Sequence, residues 1–270
     1  MKNIAHKTAP VRLLIFTGVL LILWLPLAIP IYLRLKHNSN LASIFTMALL
    51  FVELLGLWHF WGKYVYQESN IFNKYGLSFT AANRSEFAKG LAIGFWFCFS
   101  LFIVEALLGW VKITTPEVSL IKIVAEGLLS ALGIALGEEL LFRGWIFDEL
   151  QRDYRQSTVI FFSALLYAVL HFIKPIGEII RTLVTFPALL LLGIILAIAK
   201  QKHRDRLGIC IGIHGGLVWG YYILNVGQLI EYTNKVPPWI TGIDGNPIAG
   251  IMGLIFLSIL AIAAYSRSKG

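Results

Sequence analysis

Glu138, Glu139 and Arg143 fall within six residues of one another, and two histidines, His171 and His214, follow at wide spacing. A carboxylate and an imidazole brought together can hold a water and move its proton, the core of general acid–base hydrolysis. Glu139 and Arg143 are four apart, on one helix face and in the order that favours an ion pair. Glu138 is offset by about 100° and shares Arg143 less easily. On this spacing Arg143 holds Glu139 ionised and oriented, and Glu138 is the freer carboxylate, able to act as a general base. Tyr167 lies four residues before His171 and shares its face.

In a soluble helix the pattern Glu-Glu-x-x-x-Arg is ordinarily a solvated surface. Here it sits in the uncharged surroundings of Gly127–Phe147. One ionisable side chain at a helix centre in a bilayer costs roughly 2.5–3.5 kcal/mol, so three need compensation. Two compensations are open: a structural ion pair that locks helices together, or a polar site to which His171 and His214 converge from other helices. His59, beside Trp58 and Trp61 near a helix end, reads as part of an interfacial belt. Glu53 and Glu105 are single acids expected to pair with polar groups of other helices.

The elements that carry these residues are membrane helices. The chain has 270 residues, 57% apolar and 14% charged, with a mean hydropathy of +0.74. That excludes an ordinary soluble domain and a disordered chain. The expected fold is all-α, a polytopic transmembrane helical bundle of about eight spans, forming a single integral membrane domain over 1–270. The apolar runs are Leu13–Leu33, Leu41–Trp61, Gly90–Val111, Gly127–Phe147, one from about Ser157 through His171, Leu183–Ala199, Leu207–Ile230 and Ile248–Tyr265. Kinks are expected in the first at Pro26 and Pro30. A polar stretch, 62–89, separates the second and third. The net charge is +8, but its cations sit in short loops, which argues for topology and lipid headgroups rather than nucleic acid. Lys and Arg number 15 on one side against 7 on the other, which predicts both termini in the cytoplasm. Cys98 and Cys210 form no disulfide framework. Gly208, Gly212, Gly216 and Gly220 make a stripe for close helix approach, and Gly90 with Gly94 and Gly133 with Gly137 are shorter ones. His214 points away from its stripe.

Three segments then carry a resemblance: GEELLFRG at 137–144, LLYAVLH at 165–171 and GIHGG at 212–216. In order and spacing, over about 120–225, they resemble the motifs of the CAAX-protease and bacteriocin-processing (CPBP, Abi) intramembrane proteases. Glu138, Glu139 and Arg143 match the first motif. His171 matches the second, with Tyr167 in place of Phe. His214 matches the third, with Val218 where the family often has Asn. The resemblance implies an intramembrane endopeptidase acting on a membrane-associated peptide or protein. Glu138 with His171 would activate a water and His214 would help to stabilise the oxyanion, with Tyr167 and Val218 lining the cavity. Glu138, His171 and His214 could instead hold Zn²⁺ with a vacant position, although no HExxH is present. The metal-free glutamate mechanism is preferred. The alternatives are a non-catalytic scaffold or immunity-type binding protein of the same fold, and a proton-coupled transporter, which the missing internal repeat disfavours. Access is expected from the side of Arg152 and Arg155. One geometric difficulty stands: counted from their run starts, His171 and His214 differ in depth by about 10 Å.

Overall fold

The computed structural model of this chain describes residues 2–116 and 118–266. The tail cations Arg267 and Lys269, counted above for topology, lie outside the described residues. The apolar runs become α1 (Ala9–Leu35), α2 (Ser39–Trp61), α3 (Ala81–Leu107), α4 (Leu120–Glu139), α5 (Gln156–Leu170), α6 (Phe186–Lys202), α7 (Gly208–Tyr221) and α8 (Ile251–Ser266). Three of them continue through widened π turns: α2 through Gly62–Tyr66, α4 through Leu140–Ile146 into a last helical turn Phe147–Gln151, and α7 through Tyr222–Val226. A short helix, Ile176–Thr182, leads into α6. Among the described residues six helices, with these extensions, are long and apolar enough to cross a membrane. The α5 helix, 15 residues or about 22 Å, falls short of a hydrocarbon core of about 30 Å, and α8 is also in the shorter class. The bundle is therefore all-α and polytopic, with six full-length helices and two short ones.

Boundaries follow local chemistry. The Asn38 side chain accepts from Leu41 N at the start of α2, and Thr80 Oγ1 accepts from Asn83 N at the start of α3. That second cap draws residues 81–89, expected in a polar loop, into the helix. The α1 helix runs on through Pro26 and Pro30. At one end of the bundle β1 (Val111–Ile113) pairs antiparallel with β2 (Ile230–Tyr232), joining the segments that follow α3 and α7. Ile230, read as the last residue of an apolar run, belongs to this strand pair.

The glycine stripe of α7 meets α3 directly. A Cβ on Gly212 would stand 2.3 Å from Phe87 O and 2.9 Å from Gly90 Cα, and one on Gly94 would stand 2.1 Å from Ile213 O. Backbone lies on both sides, so no side chain can yield. Gly133, by contrast, has nothing within 4 Å, and Gly137 meets only Phe51 at 3.6 Å, so that shorter pair is not a helix seam. Gly212→Val should force α3 and α7 apart and cost about 1–3 kcal/mol, read as a lower melting temperature in detergent. Gly133→Ala, a gain in helix propensity without a contact, should melt no lower than the parent. Equal melting of all three proteins would mean that the seam is not tight.

A second tie joins the first helix to the end of the fourth. Arg12, 1% exposed, donates from Nε to Glu149 Oε2 at 2.7 Å and from Nη2 to Glu149 O at 2.8 Å, and its Nη1 lies 3.3 Å from Asp153. Tyr66, in the π turn after α2, donates its hydroxyl to Glu149 Oε1 at 2.6 Å. Around this network Phe16 packs on Trp145 and Trp61, with ring centroids at 4.2 and 5.2 Å. Trp58 and Trp61 are therefore core residues, not members of an interfacial belt, while His59 is exposed. Burial pushes the hydroxyl pKa of Tyr75, in the turn before α3, well above its usual value, with nearby Glu149 and Asp148 adding to the effect.

Candidate active site

Glu138 and Glu139 are the last two residues of α4 before its π turn. Such turns place an extra residue in the helix and re-aim the side chains around it. Here the neighbouring helices meet the displaced backbone: Ser163 Oγ donates to Phe142 O at 3.2 Å, and Lys200 Nζ donates to Arg143 O. Lys200, counted as a loop cation, is in α6 and 1% exposed. Arg143 is fully buried. Its Nη1 donates to Glu139 Oε1 at 3.0 Å, its Nη2 to Gly193 O of α6 at 3.3 Å, and its guanidinium lies 4.3 Å over the Tyr167 ring. Gly193 is also where α5 crosses α6, since a Cβ there would stand 2.8 Å from Ala164 Cβ.

The two carboxylates are treated differently. Glu139 is fully buried and holds a second partner, His214 Nδ1, at 2.8 Å from the same Oε1. The Glu138 side chain is 31% exposed and lies off the Arg143 face. Its Oε2 is 3.7 Å from His171 Nε2 and 3.8 Å from His214 Nε2. His171 is the residue that ends α5, and its Nδ1 donates to Tyr167 O at 2.7 Å. A carbonyl can only accept, so the Nδ1 proton is fixed and the Nε2 lone pair faces Glu138. The Glu139 carboxylate anchors the His214 ring through Nδ1, which leaves Nε2 facing the Glu138 side. The depth difficulty disappears because α7 starts deep. Lys200 reaches Arg143 O, so the turn before α7 lies level with Arg143, about 12 Å inside the Gln151 end of α4. The start of α7 is held there by Asn83, whose Oδ1 accepts from Gly208 N at 2.7 Å.

Glu138, Tyr167, His171 and His214 line one cavity of about 280 Å³, and Val218 is in its wall. Its other walls are mostly apolar, contributed by Ile134 of α4, Leu101 of α3, Leu192 of α6 and Phe256 of α8, and the segment 246–248 lines one side. The cavity therefore extends from Glu138 toward the start of α4. It runs away from Arg152 and Arg155, the side from which access was expected. On that side buried Arg143, Phe142 and Lys200 fill the space. Glu105 joins neither cavity nor ion pair: it is fully buried, and neither of its oxygens has a hydrogen-bond partner among the described residues. Glu53 Oε2 is likewise unpartnered, so the expected pairings of these two acids are absent for those atoms. Cys98 and Cys210 are both free and buried.

Residues 120–220 match the type II CAAX prenyl endopeptidase Rce1-like family. No curated protein and no solved structure matches the chain. The Rce1-like segment holds α4 through most of α7, hence all of Glu138, Glu139, Arg143, His171 and His214. With six helices of membrane-spanning length, the chain is an integral membrane protein that is similar, over that segment, to the Rce1-like CAAX prenyl endopeptidases. A metal fits this segment poorly. Among the described residues no group of three or more His, Cys, Asp and Glu is arranged to hold an ion. Ligands at 2.0–2.1 Å on a tetrahedron stand about 3.3 Å apart, and the Glu138–histidine separations are 3.7 and 3.8 Å. Within the Rce1-like segment the sequence reading missed Lys200, Ser163 and Gly193. Only Gly193 left a signal, a glycine inside a run of leucines and isoleucines.

Proposed function

We propose that this chain is an intramembrane endopeptidase that hydrolyses a peptide bond of a membrane-associated peptide or protein. One observation carries the reading: the Glu138 carboxylate, on a partly exposed side chain, faces two Nε2 atoms, each held in place by its own Nδ1 partner, at the polar floor of a mostly apolar cavity. A separation of 3.7–3.8 Å is too long for a direct hydrogen bond. It leaves room for a water oxygen within hydrogen-bond distance of Glu138 and of an imidazole. Glu138, with His171, takes the water's proton as the oxygen attacks the carbonyl carbon, and returns it to the departing amine. His214 offers Nε2–H to the negative oxygen, while Glu139 holds its ring through Nδ1. Glu139 and Arg143 are positioning residues here, acting through His214 and through the π turn.

In the same reading the whole chain is one integral membrane domain in contact with lipid, with its catalytic core over about 120–225 and both termini in the cytoplasm. The cavity then faces the opposite leaflet. The deciding experiment is turnover by detergent-purified protein against a peptide library, read by mass spectrometry. Defined cuts by the wild type that are absent from a Glu138→Ala preparation are the expected result. Intact peptides throughout would leave the scaffold reading in place of the enzyme.

A further inference from the structure

We propose that the Tyr167 hydroxyl is a second hydrogen-bond donor to the oxyanion, beside His214; this rests on the endopeptidase reading. A tetrahedral oxyanion in a dry site needs donors fixed in advance. The floor of the cavity supplies few. His171 gives its Nδ1 proton to Tyr167 O, and its Nε2 faces Glu138 as an acceptor. The neighbouring walls from Ile134, Leu189, Leu192, Leu217 and Val218 are apolar. Tyr221 and Asn246 also line the cavity, but Tyr221 is seven residues past His214, about 10 Å along the helix.

Tyr167 is placed for the task. Its ring stands 4.5 Å from the His171 ring and 6.3 Å from the His214 ring, and it is 2% exposed. A buried tyrosine hydroxyl ordinarily finds a partner. Here the Arg143 side chain donates to its oxygen, and the hydroxyl proton does not go to Glu138 Oε2 or Glu139 Oε2, both of which are without a hydrogen-bond partner among the described residues. The proton is thus left for something that enters the cavity. Arg143, 4.3 Å over the ring, fixes the phenol in position.

The step balances without a change at the tyrosine. The water oxygen bonds to the carbonyl carbon, its proton passes to Glu138, and the carbonyl π pair moves to oxygen. That oxygen accepts from His214 Nε2–H and Tyr167 Oη–H. When the pair returns, the C–N bond breaks, the Glu138 proton goes to the amine nitrogen, and Tyr167 keeps its own.

The test is Tyr167→Phe, which keeps the ring and its contacts and removes only the hydroxyl. The expected result is a fall of about 10²–10³ in kcat, with KM and melting temperature unchanged. Adding Val218→Asn to that variant places an amide donor one turn from His214 and should restore at least tenfold. An active wild type with an equally active Tyr167→Phe variant overturns the donor and leaves the endopeptidase reading intact. A loss of kcat that comes with raised KM and lowered melting, and that Val218→Asn does not restore, also overturns it, because it assigns the hydroxyl to packing. A wild type that cuts no peptide removes the endopeptidase reading and the donor with it.

Discussion

Glu138→Gln should abolish peptide cleavage, a fall of about 10²–10⁴ in kcat, while the protein purifies and melts like the parent. The two halves of that expectation have separate causes. The amide cannot take a proton from water, so the base is gone. The stability is kept because Glu138 is partly exposed, makes no bond to Arg143, and has Oε2 unpartnered among the described residues. Glu139→Gln differs in kind, since that carboxylate holds both Arg143 and His214 and its loss weakens the fold together with the rate. Single-turnover rates and thermal melting, measured on the same preparations, separate the two variants. Wild-type rates for Glu138→Gln would remove Glu138 from the mechanism.

Arg143→Ala should instead lower the amount of folded protein, with a loss of about 3–5 kcal/mol. The guanidinium is fully buried, and its removal leaves the Glu139 charge without its cation in a site from which water is excluded. It also strips the donor from Gly193 O, at the crossing of α5 on α6. A protein stable by about 5–15 kcal/mol can lose a third or more of that in one step. Arg143→Lys keeps a charge but not the forked geometry that reaches Glu139 and Gly193 together, so it should fall between. Fluorescence-detected size exclusion after expression, followed by melting, measures both. An alanine variant with parental yield and melting would show that the ion pair does not hold the helices.

The helices were legible because an apolar run of membrane length has few other readings, and the Glu139–Arg143 pair because four-residue spacing sets a helix face. What stayed hidden depended on contacts between segments far apart in the chain. The π turn over 140–146 has no composition of its own, and its carbonyls are met from α5 and α6. Residues 81–89 look like a loop by their charges, yet the Thr80 cap makes them helix. The side on which the cavity lies followed neither from spacing nor from charge, since Glu138 has Ile134 on one side and Arg143 on the other. Gly133 and Gly212 carry the same pattern in the sequence, and only the position of α3 tells them apart.

The Arg12–Glu149 contact has a consequence for how the molecule is made. Its partners are 137 residues apart. At about 5–20 residues per second, translation needs roughly 7–27 s to supply the second after the first. During that interval α1 has already left the ribosome with an arginine that has no carboxylate to meet. The first hairpin must therefore wait near the membrane surface, its Arg12 end solvated by water and headgroups, until the last turn of α4 arrives to receive it. The Rce1-like segment begins at residue 120, so it emerges onto an assembly that is still open and completes it. A ribosome-bound chain stopped before residue 149 should accordingly leave position 12 open to water-soluble thiol reagents when it is replaced by cysteine, and release of the full chain should close it.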